Sequence, residues 1–215
     1  MKRMSLPLLF IFSLAVVAVA PFVGMQQISI SDLFGGDENI MRIMWDLRVP
    51  RVLLGWITGS TLALCGLIFQ ALFRNPLASP DMLGVSTGAA FGAVVYIRTG
   101  IVFSLFNAVS GLSLAAFAGA LAATFAIYAA GNLRRGGMSE ATLLLAGVAM
   151  SFLFGSLNMM IQFTGGYIDT FRMMRWSMGG IQAVGFAPVF ATLPALAVIF
   201  AIAFITAPEL NLFVC

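Results

Sequence analysis

Three amide side chains lie within long apolar stretches of this chain, and they are the first candidates for chemistry. They are Gln70 and the pair Asn158 and Gln162, which are spaced by one helical turn. An amide both donates and accepts hydrogen bonds. It can therefore join two helices, at about 0.6 kcal/mol per bond in a membrane, or it can line a path for a polar solute. The first use is favoured for Gln70, whereas both stay open for Asn158 and Gln162, the candidate residues of a translocation path.

The residue types that hydrolases and metal sites require are missing. The sequence contains no histidine, and its two cysteines are Cys65, within an apolar stretch, and Cys215, the last residue. Neither a disulfide framework nor a Cys/His metal site can be built from them. A membrane protease or other hydrolase would need paired aspartates, a Ser-His arrangement or a metal cluster, and none of these occurs. We therefore predict a chain that is not an enzyme and has no catalytic residue, cofactor or metal.

Charged side chains are also missing from the middle of every apolar stretch. Ion-coupled carriers usually need a carboxylate or a comparable group inside the membrane, and such a costly group is kept only for function. If this chain moves a solute, the energy must come from elsewhere, such as a partner that hydrolyses ATP.

The composition indicates the class of protein. Of 215 residues, 61% are hydrophobic and 9% are charged, whereas a soluble domain has about 25% charged residues. So much apolar surface cannot be buried in one soluble core of this size, so the solvent must be lipid. The net charge of +3 is small and scattered, which argues against nucleic acid as a partner. The predicted fold class is all-α, a polytopic bundle of transmembrane helices.

Six apolar runs approach the roughly 20 residues that cross the hydrocarbon core of a membrane. They are Leu6–Val23, Val52–Phe73, Leu83–Ile97, Leu112–Ala130, Thr142–Phe163 and Pro188–Thr206. The third is short, and one option is that it extends to Phe106 after a break around Arg98 and Gly100. The first has an alternative interpretation as a signal peptide cleaved after Ala18-Val19-Ala20. Pro21 directly after that site opposes cleavage, so a retained helix is favoured.

Basic residues predict the orientation of the bundle. Lys2 and Arg3 precede the first run, and no basic residue follows it until Arg42. Because cytoplasmic ends are enriched in Lys and Arg, the N-terminus is expected in the cytoplasm, and Arg134-Arg135 in a short loop agrees. Six arginines then fall on the outer side and require another explanation. They are Arg42, Arg48, Arg51, Arg98, Arg172 and Arg175.

Small residues recur at every fourth position in several of the runs. The rows are Gly55, Gly59 and Ala63; Gly84, Gly88 and Gly92; Gly111, Ala115, Gly119 and Ala123; and Gly147, Ser151 and Gly155. In lipid the hydrophobic effect does not pull helices together, so helices associate through close backbone approach at small residues. These rows are therefore expected to be helix-packing faces.

A polar link with two prolines joins the second and third runs. It reads Arg74-Asn75-Pro76-Leu77-Ala78-Ser79-Pro80-Asp81-Met82-Leu83-Gly84-Val85. Pro76 is expected to stop the preceding helix near Arg74. Ser79 suits an N-cap, Pro80 suits the first helical position, and Asp81 complements the positive end of the next helix.

Four sequence blocks resemble the permeases of type II ABC importers for iron–siderophores, haem and vitamin B12. The blocks are Leu47–Leu53, Gly66–Ala89, Leu143–Ala149 and Trp176–Gly180, in the order that the family has them. The second block contains the link and is highly specific, while the third and fourth are weak alone. The resemblance implies a multi-pass permease subunit in a bacterial or archaeal cytoplasmic (inner) membrane.

The resemblance also implies partners. They are a second permease copy, cytoplasmic ATP-binding subunits, and a periplasmic or lipoprotein substrate-binding protein. In such permeases, basic residues on the outer face pair with acidic residues of the binding protein. Arg51 matches that position best, with Arg48 near it, and the alternative is an anchor at the membrane interface.

The family's cytoplasmic gate corresponds to two segments of this chain. One contains Asn75 and Leu77, and the other contains Glu140 and Ala141 after Ser139. Glu140 replaces the small hydroxyl residue that is common in the family. A carboxylate at a helix N-terminus is therefore the simpler interpretation of Glu140.

Members of the family have roughly ten spans, of which about six are present here. The chain is expected to be a single transmembrane permease domain over residues 1–215, truncated at its C-terminus, that cannot couple to ATP hydrolysis by itself. The cargo is not readable beyond iron–siderophore, haem or corrinoid, because the binding protein selects the ligand. Two alternatives stay open: a secondary carrier or channel with a coincidental link, and a non-transporting scaffold or permease remnant.

Overall fold

The computed structural model describes residues 2–24, 26–29, 31–32, 35, 37–105, 109–132, 140–181 and 183–214. The α-helices of this part of the chain are α1 (Lys2–Val19), α2 (Glu38–Arg42), α3 (Val49–Leu72), α4 (Val85–Thr99), α5 (Gly111–Asn132), α6 (Glu140–Thr164), α7 (Tyr167–Ser177) and α8 (Ala187–Val214). Shorter elements are the 3₁₀ turns Ala20–Phe22 and Pro80–Leu83 and the π-helical segment Ile43–Arg48. Strands β1 (Ser104–Leu105) and β2 (Val109–Ser110) pair antiparallel. The predicted all-α class is confirmed.

Four helical segments of the described chain are long and apolar enough to cross a membrane. They are Glu38–Leu72, which joins α2, the π segment and α3, and then Gly111–Ala130, Thr142–Thr164 and Ala187–Glu209. The first predicted span is also helical but shorter, at Pro7–Phe22. The predicted polytopic bundle is thus confirmed, although four of the six predicted spans reach full length.

The third predicted span is α4, and its extension to Phe106 is wrong. α4 ends at Thr99, and the next residue, Gly100, takes a left-handed conformation with φ 68°. The Gly100 N–H donates to the carbonyl oxygen of Ile97, which is how a glycine closes a helix C-terminus. The chain then enters β1, and Phe106 itself lies outside the described residues.

The chain divides into two compact units, Met1–Leu62 with Ile181–Phe200, and Ala63–Gly180 with Ala201–Cys215. In the first unit, a small apolar core joins Leu54 of α3 to Ala183 and to Val189 of α8. α1 is tied to α3 by a hydrogen bond from Trp56 Nε1 to Ser13 Oγ, at 2.9 Å.

In the second unit, α4 packs against α5 through small residues, as the sequence predicts. A Cβ atom added to Gly88 would lie 2.8 Å from the carbonyl oxygen of Gly119. Farther along α4, Gly92 lies directly against the backbone of Ala115. No larger side chain fits between these backbones, so the close approach of the two helices depends on glycine.

The other predicted rows behave less uniformly. A Cβ on Gly147 of α6 would lie 2.9 Å from the Cα of Leu83, so this glycine is in close contact. By contrast, a Cβ atom at Gly59 or Gly155 would have no described atom within 4 Å beyond the neighbouring backbone of its own helix. A glycine at the right spacing is therefore not always at a helix contact in this part of the chain.

Candidate functional site

The first half of the link ends α3 and reverses the chain. Arg74 takes a positive φ of 45° shortly after α3 ends at Leu72. The Oδ1 of Asn75 accepts a hydrogen bond from the N–H of Leu77 at 2.9 Å, and the N–H of Asn75 donates to the carbonyl oxygen of Gln70 at 3.2 Å. The side chain of Leu77 is 76% exposed. The predicted stop of the helix at the link is confirmed.

The second half of the link forms a 3₁₀ turn before α4 begins. Ser79 has an extended N-cap backbone and Pro80 opens the turn, as predicted, but the Ser79 side chain makes no capping hydrogen bond. α4 begins only after Gly84, whose φ is 65°. The prediction of an α-helix starting at Pro80 is wrong, because a left-handed residue interrupts the helix after one short turn. The carboxylate of Asp81 accepts a hydrogen bond from the hydroxyl of Ser86 and so joins the turn to α4.

The end of the link packs on α6, the helix that begins at Glu140. A Cβ on Gly84 would lie 3.1 Å from Ser151 Oγ and 3.2 Å from the carbonyl oxygen of Gly147. Glu140 and Ala141 form the first turn of α6. Their side chains, and Ser139, lie outside the described part of the structure, so their place in a gate stays a prediction.

The two amide side chains of α6, Asn158 and Gln162, have different surroundings. Asn158 is 8% exposed, and its Nδ2 donates to the carbonyl oxygen of Thr87 in α4 at 3.4 Å. Its Oδ1 has no hydrogen-bond partner among the described residues. Gln162 is half-buried, and its backbone carbonyl oxygen accepts a bond from Thr170 Oγ1 at 2.9 Å. Asn158 therefore contacts α4, and a path role for either amide stays a prediction.

Arg48 and Arg51 stand on either side of the junction between the π segment and α3. The Nη1 of Arg48 donates to the carbonyl oxygen of Pro21 at 2.9 Å, and its Nη2 donates to that of Gln26. Arg51 is exposed and makes no hydrogen bond or ion pair with the described residues. The two arginines assigned to docking are thus close in sequence but differ in surroundings, and docking stays a prediction for both.

Pro50 explains the π segment before α3. A proline has no N–H, and its ring clashes with the carbonyl group four residues earlier, which here belongs to Asp46. The helix widens, and the N–H of Val49 donates to the carbonyl oxygen of Met44, five residues back. The displaced Asp46 carbonyl oxygen accepts a hydrogen bond from the N–H of Gly185 at 2.7 Å. A π segment in a helix often marks a functional position.

α7 lies between the last two predicted spans and is not among the elements predicted from the sequence. Met173 is its buried residue, and Asp169 is in its first turn. Arg98, at the end of α4, lies 3.8 Å from the Asp169 carboxylate and donates to the carbonyl oxygen of Thr164 at 3.4 Å. The segment alternates charged and apolar residues with a helical period, so the signal was present in the sequence, but α7 is too short to register as a span.

Known proteins resemble this chain over most of its length. The family model described as the FecCD transport family matches residues 6–215. The cobalamin import system permease protein BtuC of Halobacterium salinarum is 39% identical over 178 residues, which are 83% of this chain and 46% of that protein. The "Probable siderophore transport system permease protein YfiZ" of Bacillus subtilis is 32% identical over 180 residues, which are 84% of this chain and 52% of that protein. The chain spans about half the length of the curated relatives it matches.

One solved structure shares the fold. It is described as an inward-facing conformation of a metal-chelate type ABC transporter, with a TM-score of 0.77 at 24% identity over 96% of this chain and 62% of that chain. This likeness supports the arrangement of helices alone. The family match confirms the resemblance that the four sequence blocks indicate. The chain belongs to the FecCD transport family.

Proposed function

We propose that this chain is part of the membrane-spanning permease of an ATP-driven importer for an iron–siderophore, haem or a corrinoid. The observation that carries the proposal is the family match over residues 6–215. Relatives named for cobalamin import and for siderophore transport support this class of cargo. In this proposal the permease is not an enzyme, because partner subunits bind and hydrolyse ATP.

The distribution of charge supports an external source of energy. No charged residue occurs between Val52 and Leu72 or within α5. α6 has a carboxylate only at Glu140, its first residue, and α8 only at Glu209, near its end. A carrier driven by protons or cations usually holds the coupling ion on an ionisable group inside the bundle. These helices contain no such group.

The link supplies one side of the proposed cytoplasmic gate. In the proposed orientation, the N-terminus and the link face the cytoplasm, and Asn75 and Leu77 form the gate together with Glu140 and Ala141 at the start of α6. The exposed apolar side chain of Leu77 suits closure against a second permease copy across the path. Asn158 and Gln162 are proposed to line that path, since an amide can exchange hydrogen bonds with a passing polar solute.

The opposite face is proposed to receive a substrate-binding protein. Arg51 is exposed and has no hydrogen-bond or ion-pair partner among the described residues, so its guanidinium group is available for an acidic side chain of a partner. Charge pairs of this kind set the association rate and its salt dependence. The alternative for Arg51 is contact with the membrane interface, which would not depend on a binding protein.

Purification and uptake test the proposed function. The protein, isolated from its own cells in mild detergent, is expected to carry ATP-binding subunits and to bind a substrate-binding protein. In vesicles, uptake of radiolabelled cobalamin or ferric siderophore is expected to require ATP and the binding protein. Uptake driven by an ion gradient without ATP would favour a secondary carrier instead. Absence of partners and of any uptake would favour a non-transporting remnant.

A further inference from the structure

The two arginines proposed for docking are held in different ways. Arg48 is half-buried, and its planar fork donates to two carbonyl oxygens, those of Pro21 and Gln26. These acceptors lie in the segment that follows α1, 22 and 27 residues away in sequence. One side chain therefore joins two backbone positions of the loop after α1 to the residue that directly precedes α3. Arg51 makes no comparable contact among the described residues.

We call the two hydrogen bonds from Arg48 to Pro21 and Gln26 the clamp. Gly24 leaves room for it because glycine has no side chain. A Cβ atom at Gly24 would lie 3.0 Å from Nη2 and 3.1 Å from Cζ of Arg48, closer than ordinary side-chain contact. The guanidinium plane thus lies against the backbone between its two acceptors. Lysine could not replace it, because an ammonium group is a point donor without the rigid fork that reaches two fixed carbonyls.

The clamped loop and the two arginines line an open cavity in the first unit. Its volume is about 480 Å³. It is lined by Ala20, Pro21, Val23, Gly24, Gln26, Ile43, Leu47, Arg48, Arg51 and Val52. Most of the lining is apolar, and the charge comes from the two guanidinium groups. Because Arg48 is already engaged with carbonyl oxygens, Arg51 is the guanidinium in this lining that remains for a carboxylate.

We propose that Arg48 is a positioning residue and that Arg51 is the cation that meets the partner. Arg48 holds the backbone at Pro21 and Gln26 in place, and the residues around these two acceptors shape the cavity at whose wall an acidic side chain of the binding protein pairs with Arg51. The inference rests on the proposed function, since it divides a docking role that sequence resemblance assigns to both arginines. The π segment supports the same arrangement, because the Asp46–Gly185 hydrogen bond fixes the backbone two residues before Arg48.

Matched lysine substitutions three residues apart test this division of roles. The protein with its partner subunits is placed in lipid nanodiscs, and two quantities are measured for Arg48→Lys and Arg51→Lys. They are hydrogen exchange of the backbone over residues 20–28 and affinity for the binding protein at several salt concentrations. Arg48→Lys is expected to speed exchange by about tenfold or more, because hydrogen bonds from a charged donor are lost, and to weaken binding with an unchanged salt slope. Arg51→Lys is expected to leave the exchange rate unchanged.

Neutral variants and a glycine pair complete the test. Arg51→Gln is expected to flatten the salt dependence of binding while the loop stays protected. Gly24→Ala is expected to speed exchange over residues 20–28. Gly59→Ala is expected to leave it unchanged, because a Cβ atom there would have no described atom within 4 Å beyond the neighbouring backbone of α3. Exchange in α4 to α6 serves as the control for global unfolding and is expected to stay constant.

The outcomes separate the clamp from the docking function. Unchanged exchange in Arg48→Lys would overturn the clamp. Arg48→Gln that flattens the salt dependence while the loop stays protected would make Arg48 a direct docking residue and also overturn the proposal. If Arg48→Lys speeds exchange but neither arginine affects binding, the clamp is supported and the docking function is overturned.

Discussion

Gly84 and Gly147 pack backbone against backbone, since a Cβ atom on Gly84 would lie 3.2 Å from the carbonyl oxygen of Gly147. The contact joins the end of the polar link to α6. Gly84 also has φ 65°, a conformation that glycine adopts without strain. The position of the link relative to α6 therefore depends on two glycines that lie far apart in sequence.

Replacing Gly147 with alanine is expected to destabilise the protein. The added methyl group would lie 2.9 Å from the Leu83 Cα, and overpacking of this kind costs about 1–3 kcal/mol. The midpoint of thermal unfolding in detergent measures the effect. Gly155→Ala, farther along α6, is the matched control and is expected to lose no stability, because its Cβ would have no described atom within 4 Å beyond the neighbouring backbone of α6. Equal midpoints for the two variants would show that the link does not pack on α6 as described.

The proposed orientation predicts opposite accessibility for two exposed residues. Leu77 in the link and Val102 after α4 are 76% and 93% exposed. A cysteine at either position is therefore accessible to a maleimide reagent on the side of the membrane where that residue lies. In a background without Cys65 and Cys215, a membrane-impermeant maleimide is expected to label Val102→Cys in intact spheroplasts. Leu77→Cys is expected to react only after permeabilisation. The reverse pattern would place the link outside and remove the proposed gate.

Asn158→Ala is expected to lower uptake without lowering stability. The Asn158 bond to Thr87 is long, at 3.4 Å, and such bonds contribute about 0.6 kcal/mol in membranes. A buried oxygen without a partner costs about 1–3 kcal/mol, and Asn158 Oδ1 has none among the described residues. The substitution removes both the hydrogen bond to Thr87 and the unpaired oxygen. Because the second effect is the larger, the midpoint of thermal unfolding should stay the same or rise. Uptake should fall if Asn158 Oδ1 accepts a hydrogen bond from the transported solute.

Gln70→Ala provides the comparison for Asn158, because Gln70 is exposed on α3. It is expected to change neither the thermal midpoint nor uptake. If Asn158→Ala instead loses stability at unchanged uptake, Asn158 is an interhelical hydrogen-bonding residue and the path proposal loses it.

The ion pair between Arg98 and Asp169 is expected to contribute little to stability. Its side chains are 47% and 33% exposed and lie 3.8 Å apart, and pairs of this kind contribute about 0.2–1 kcal/mol. A double-mutant cycle with Arg98→Gln and Asp169→Asn, followed by thermal unfolding, gives the coupling energy. The coupling should shrink in high salt because screening weakens exposed pairs.

The single variants of this pair are expected to differ. Arg98 also donates to the carbonyl oxygen of Thr164, so Arg98→Gln should be the more destabilising of the two substitutions. A coupling energy that is large and insensitive to salt would mean that the pair is buried in the assembled protein.

Local sequence patterns were sufficient for the class of fold and for the end of the helix before the link. Hydrophobic composition excludes a soluble core, because each apolar run has too few charged residues to face water. Pro76 predicts the end of the preceding helix because backbone conformation at proline depends on the residue itself, whereas the interruption at Gly84 was not predicted. The resemblance to the family rested on the same contiguous segment, and the family match confirms it.

Contacts between distant residues were decided only by the tertiary structure. Gly147 and Gly155 have the same place in the sequence pattern, yet a Cβ atom at Gly147 would contact the link, and one at Gly155 would have no described atom within 4 Å beyond the neighbouring backbone of α6. Likewise, Arg48 and Arg51 share a motif, but among the described residues Arg48 has two carbonyl acceptors, 22 and 27 residues away, and Arg51 has none. The spacing of residues along one helix indicates which side chains share a face. The partner of that face depends on how other segments pack, and this packing determines the role of each side chain.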